Sequence, residues 1–224
     1  MSLDFLSPAP KALARSPMER QAIAAGGRLE RRDGWNVAAA FDGEEAERER
    51  CRLGVGFADV SHLGKVELQA PPAELAAIAT ECSDDARWCT YTAERAIAIC
   101  QPGSLAPLRQ RMETLATTAS VVDVTCVWAA LTIVGPLARE LFARFTAIDL
   151  RPDITPTGAF RPGSVARTPG AILREDEQRY LMVFGAALGQ YMWTVVADAA
   201  ERLGGGPIGV DVLARADQPV FDHA

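Results

Sequence analysis

A chain of 224 residues, 49% hydrophobic and 23% charged, can bury a sizeable core as one large domain or two small intimate ones. Its formal charge of −6 argues against a broad nucleic-acid footprint, which needs a basic face, and the cluster Arg28, Arg31, Arg32 is too short to reverse that. No apolar run approaches the roughly 18 residues that cross a bilayer, no leader-like block opens the chain, and five cysteines without a C-x-x-C pair suggest neither a disulfide framework nor a zinc ribbon, so a cytoplasmic protein with no membrane partner and no structural metal is expected.

Residues 1–30 mix Pro, Ala, Ser and charge without a period, which predicts a loosely ordered arm that folds only against something else. From Trp35 the pattern sharpens. "WNVAAAF" reads as a strand, and "DGEEAERERCRLG" as a charged helix closed by Gly54. "VGFADVS" and "KVELQA" are alternating runs joined by Ser-His-Leu-Gly, a hairpin or a strand with a sharp corner. "PPAELAAIATEC" starts a helix at its prolines. "RWCTYT" and "AIAIC" form a strand pair, and "SLAPLRQRMETLAT" a helix capped by Ser104.

The rhythm then repeats. "VVDVTCVWAALTIVG" reads as a strand pair, "PLARELFARF" as a helix, "SVART", "AILRE" and "RYLMVFG" as strands, and "LGQYMWTVVADAAERLGGG" as a long helix stopped by glycines. Strands adjacent in sequence favour mixed or antiparallel sheets over a doubly wound parallel one. The expectation is α+β with two similar halves, residues 31–118 and 119–224, forming one compact unit.

Among candidate chemical groups, "GGGPIG" follows a helix and so cannot cradle a phosphate at a helix N-terminus, and no G-x-S-x-G elbow occurs. Asp84-Asp85 and Glu175-Asp176-Glu177 sit where carboxylates cap turns or face solvent, and Asp123 in "VVDVT" would cap a loop. His62 in "GVGFADVSHLGKVEL" suits a strand corner, donating to one backbone group and accepting from another.

Taken together, "GWNVAAAFDGEEAERERCRLGVGFADVSHLGKVEL", "WAALTIVGPLARELFARF" and "RYLMVFGAALGQYMWTVVADAAERLGGGPIG" resemble the tetrahydrofolate-dependent aminomethyltransferases, the glycine-cleavage T-protein family, from about Trp35 to Gly209. The resemblance implies that family's fold of two ferredoxin-like α/β halves. The family's C-terminal barrel domain has no counterpart in the sequence, and in extent the chain is similar to the gamma subunit of heterotetrameric sarcosine oxidases.

Carried over by position, the family's catalytic aspartate falls on Asp85 and its pterin-holding glutamate on Glu177, with Tyr180 as the aromatic that ends that motif and Leu63 as the apolar wall. The motif's glycines and first tyrosine are missing, as is the glycine pair before Asp84-Asp85. The resemblance therefore implies tetrahydrofolate as the possible cofactor. It also implies a non-catalytic subunit of a sarcosine-oxidase-like flavoenzyme, docked on larger subunits in one-carbon or methylamine metabolism. The alternative is a stand-alone tetrahydrofolate-dependent aminomethyl- or methyltransferase using Asp85 and Glu177. Its ligands would be a folate or a methylated amine, and its partners other oxidase subunits or a second copy. Reuse of the fold for an unrelated small ligand stays open.

Overall fold

The computed structural model describes residues 13–216; residues 1–12 of the expected arm and the end of the expected second half lie outside the described residues. From residue 13 onward the arm is ordered. Strand β1 (Ala14–Arg15), helix α1 (Glu19–Ala24), strand β2 (Arg28–Arg32) and strand β3 (Trp35–Ala40) build a three-stranded sheet with β3 in the middle. Met18 and Ala22, four apart and so on one helical face, are buried in the main core. Pattern reading misses so short a helix because its buried stripe is two residues long.

The chain continues through α2 (Glu44–Leu53), β4 (Gly56–Asp59), β5 (Gly64–Gln69), α3 (Pro72–Glu81), β6 (Arg87–Thr92), β7 (Arg95–Cys100), α4 (Leu105–Leu115), β8 (Ser120–Asp123) and β9 (Trp128–Val134). Then follow α5 (Ala138–Ala143), β10 (Phe160–Val165), β11 (Thr168–Asp176), β12 (Arg179–Gly185), α6 (Gly189–Glu201), β13 (Gly206–Pro207) and α7 (Val210–Ala216). The fold is α+β. One sheet has six strands in the order β10-β11-β12-β9-β4-β13, and another four in the order β6-β7-β5-β8.

These two sheets lie face to face between helices, and the apolar runs show why. Along β12, Tyr180, Met182 and Phe184 point into a core shared with α1, α5 and α6, whereas Leu181 and Val183 point into a second core shared with Ile97 and Ile99 of β7. Both faces are covered, so β12 reads as an unbroken apolar stretch instead of an alternating one. The opposite face of β7, through Ala96, Ala98 and Cys100, meets Leu75 and Ile78 of α3 and Leu108 and Met112 of α4.

The expected boundary at 118/119 does not divide the sheets. Strand β4 from the first half pairs antiparallel with β9 in the six-stranded sheet, and β8 from the second half pairs with β5 at the edge of the four-stranded sheet. Hence "VGFADVS…KVELQA" and "VVDVTCVWAALTIVG" are corners between sheets and not hairpins.

The expected Ser104 cap also differs. The chain enters α4 through a 3-10 turn, Pro102–Ser104, so Ser104 is already near-helical (φ −91°, ψ −8°) and its hydroxyl caps nothing, because capping needs an extended backbone there. The long helix α6 ends as expected, at Gly204, whose φ of +69° suits glycine. No described helix is long and apolar enough to cross a membrane.

Candidate functional site

Two corners carry the chain between the sheets, and they are built alike from Asp59-Val60-Ser61 and Asp123-Val124-Thr125. In each, the aspartate Oδ1 accepts the backbone N–H two residues on, from Ser61 at 3.0 Å and from Thr125 at 2.9 Å. In each, the following hydroxyl accepts an amide from the other crossing segment: Ser61 Oγ from Ala130 at 3.2 Å, and Thr125 Oγ1 from Lys65 at 3.0 Å. An internal D-V-[ST] repeat in the sequence is the signal of this pairing. Asp123 thus caps its own corner.

Lys65 locks the junction. Its buried ammonium donates to the carbonyls of Ser61 at 3.0 Å and Leu63 at 2.8 Å, and burial pulls its pKa down to about 8, opposed by Asp59. Asp59 is itself pushed up, chiefly by burial, against the stabilising bonds from Ser16 and Ser61.

The corner Val60-Ser61-His62-Leu63 forms one wall of a cavity of about 230 Å³ where the three sheets and α7 converge. Arg32 and Asp33 enter it from the β2–β3 turn, Arg87 from β6, Gln101 from the end of β7, Arg179 from β12, and Val210 and Leu213 from α7. His62 is held down to about 4, first by burial and then by the charge of Lys65, so at neutral pH it faces the cavity as a neutral ring.

Arg87 and Arg179 also line a second pocket, of about 390 Å³, with Trp88, Arg174 and Glu175. Between the two spaces Glu175 bridges the arginines. One carboxylate oxygen accepts from Arg87 and the other from Arg179 Nε at 3.1 Å. Glu175 stands at the irregularity in the β11–β12 ladder, where Arg174 pairs with Tyr180 and Asp176 with Arg179, leaving it the extra residue of a bulge. Bulges re-aim side chains, and this one turns a carboxylate inward.

Of the residues singled out in the sequence, Leu63 lies in the inner cavity, as does Gln101. Asp85 does not. Its carboxylate is 42% exposed on the far side of α3 and pairs with Arg111 at 2.7 Å. Asp85→Asn should therefore shift unfolding free energy by no more than about 1 kcal/mol, as exposed pairs do, measured by urea titration.

Glu177 is exposed in the β11–β12 turn, where its backbone N–H donates to Asp176 and its carbonyl accepts from Arg174. Tyr180 faces the helical layer, packed on Phe142 at 5.6 Å between ring centroids, with its buried hydroxyl unpartnered among the described residues. The four residues are not brought together. What the inner cavity presents instead is a neutral imidazole, the three guanidinium groups of Arg32, Arg87 and Arg179, and the carboxylate of Asp33, with Glu175 engaged by two of the arginines from the adjoining pocket.

No family model matches the chain. The curated aminomethyltransferase of Rubrobacter xylanophilus is 29% identical over 162 aligned residues, covering 62% of this chain and 44% of that protein. The aminomethyltransferase of Moorella thermoacetica is 25% identical over 248 aligned residues, covering 94% of this chain and 66% of that protein. Among solved structures, aminomethyltransferase T of the glycine cleavage system from Bartonella henselae superposes with a TM-score of 0.68 at 13% identity, over 89% of this chain and 60% of its own.

This chain is similar to aminomethyltransferases in sequence and shares their fold. A chain of the heterotetrameric sarcosine oxidase from Corynebacterium sp. U-96 shares the fold as well, with a TM-score of 0.65 at 18% identity over 88% of this chain and 99% of its own. The chain spans about half to two thirds of the length of the curated aminomethyltransferases it matches along most of its sequence. Its fold places the first D-V-[ST] corner, through Val60, His62 and Leu63, beside the inner cavity, while Asp85 and Glu177 lie outside it.

Proposed function

We propose that this aminomethyltransferase relative serves as a non-catalytic subunit of a sarcosine-oxidase-like heteromeric flavoenzyme. The observation that carries the reading is Glu175. It is the carboxylate of the 390 Å³ pocket that stands between Arg87 and Arg179, which line both spaces, and both of its oxygens are taken by those arginines; the inner cavity's own carboxylate, Asp33, belongs to the exposed β2–β3 turn. Recognition of a pterin's amidine edge requires a carboxylate with both oxygens available, because the two parallel bonds run to one group. Assistance to attack on an aminomethyl carbon further requires a desolvated carboxylate aimed at the reacting atoms. Asp85 is neither desolvated nor in the cavity.

The inner cavity, at about 230 Å³, is also below the roughly 300 Å³ at which pockets for ligands of folate's size begin, though a much smaller molecule would fit. In this reading the residues as arranged do not hold tetrahydrofolate, because the carboxylate between the sheets is already engaged and Asp85 is exposed. The flavin and the oxidation of a methylated amine belong, in this reading, to partner chains in the cytoplasm.

Affinity purification of the tagged chain from its own cells should bring down larger chains together with flavin absorbance, and calorimetric titration of the isolated chain with tetrahydrofolate should show no heat of binding. A flavin-free monomer that binds tetrahydrofolate would overturn the proposal. In that outcome the stand-alone transferase gains ground. The alignment along 94% of the chain with a curated aminomethyltransferase favours it, and Glu175→Ala would then abolish the binding.

A further inference from the structure

We propose that Arg87 and Arg179 form a receptor for a small organic carboxylate, with Glu175 as the internal occupant that such a ligand displaces. Two arginines from two different sheets, β6 and β12, converge on one carboxylate. The arrangement gives one guanidinium to each oxygen, a geometry that suits any carboxylate and not glutamate alone. Both arginines line both spaces, so an incoming acid can reach them without opening either sheet.

The occupant is placed on the most yielding point of its strand. As the extra residue of the bulge, Glu175 has no Cα partner in the β11–β12 ladder, and its side chain can leave toward the 390 Å³ pocket without shifting the register. The exchange conserves charge: one carboxylate replaces another between the same cations, and Glu175 regains water on the other side.

The inner cavity indicates what the rest of the ligand is. Val60, Leu63 and Leu213 offer apolar wall, the neutral His62 adds no charge that would demand a second ionic group, and Asp33, exposed in the β2–β3 turn, would repel a second carboxylate. Arg32 contributes little attraction, because Glu30 and Asp211 hold it at 2.6 Å each. The ligand class is therefore a short monocarboxylic acid with an apolar body. This inference goes beyond the subunit reading and does not depend on it: a partner-free chain would bind the acid equally.

The test uses the full chain with sodium propionate, sodium chloride at matched ionic strength, and propionamide as the uncharged counterpart. Glu175→Gln keeps the shape and removes the competing charge. When an occupant blocks the site nine-tenths of the time the apparent affinity falls about tenfold, so this variant should bind propionate at least about tenfold more tightly than the wild type by calorimetry. Adding Arg87→Met to Glu175→Gln should remove the propionate response while near-UV dichroism stays native. In the wild type itself, the side-chain Nε–H resonances of Arg87 and Arg179 should move with propionate and not with propionamide. A Glu175→Gln protein no better than wild type, a response shared by propionamide, or arginine resonances unmoved at the highest propionate concentration would each overturn the proposal.

Discussion

Between about pH 7 and about pH 5 the protein should lose about 2 kcal/mol of stability through His62 alone, with the loss saturating at about 3 kcal/mol in stronger acid. The sign follows from where the proton binds. In the unfolded chain His62 titrates near its ordinary 6.5, whereas in the folded protein it resists protonation down to about 4, because burial removes water from the imidazolium and Lys65 repels it. Above 6.5 both states are neutral and the full stability is present. In the window from 6.5 down to about 4 the unfolded state takes up a proton that the folded state refuses, so unfolding gains free energy.

His62→Gln keeps a donor and an acceptor at the corner and has no proton to gain. Urea titrations of both proteins across this window should show the wild type falling steeply and the variant falling less by the stated difference. Asp59, raised by burial, works in the opposite direction, since it is the folded state that takes its proton first, and it is common to both proteins. Parallel pH profiles for the two would refute the assignment. An imidazole kept neutral far below physiological pH is a poor base, and His62 lines the cavity wall.

Much of the fold was legible in the residues, and the parts that were not have identifiable causes. Strands such as "RYLMVFG" announce themselves by their apolar run, yet a strand buried on both faces carries no alternation to tell which residues face which layer. The resemblance sets Tyr180 at the end of a pterin-holding motif, and in the structure its parity on β12 turns it to the helices. Glu175 and Glu177 are chemically identical and two apart. Only the bulge decides which one turns inward, and a bulge is set by the partner strand and not by the three acidic residues themselves.

Asp85 matched a motif by spacing, but its turn follows α3 on the outside of the four-stranded sheet, where Arg111 of α4 takes it. The division at residue 119 looked natural because the halves repeat. The D-V-[ST] corners that make them repeat are the same features that carry β4 into one sheet and β8 into the other, so the repeat joins what it was expected to separate.

The largest single loss of stability is expected from Glu47→Ala. Glu47 is fully buried on α2 although its neighbours along the helix are charged and exposed. Its Oε1 accepts the backbone N–H of Phe41 and its Oε2 that of Gly209, both at 2.6 Å. A carboxylate shared by two backbone donors substitutes for the sheet bonds that neither segment can make, at the end of β3 and just before α7. Bonds to a charged group are each worth about 1.5–3 kcal/mol, and truncation leaves both donors buried without a partner, so the variant should unfold about 3–5 kcal/mol more easily.

Nothing at Gly209 can compensate by moving closer, because a Cβ there would already stand 1.8 Å from the Ala39 carbonyl oxygen. Glu47→Gln, which retains one acceptor in the same volume, should cost about half as much. Hydrogen exchange separates this from a general weakening. Because α7 packs on β3 and is joined to α2 through this contact and to β2 through Asp211 with Arg28 and Arg32, the Gly209 amide and α7 should lose protection earlier than β9 or β12 in the Ala variant. With α7 released, Val210 and Leu213 leave the wall of the inner cavity, so the same substitution should expose the His62 side of that cavity to water and bring its titration back toward 6.5. Equal loss of protection throughout the sheet, with His62 still resisting protonation, would show that Glu47 serves the core at large and not the closure of this cavity.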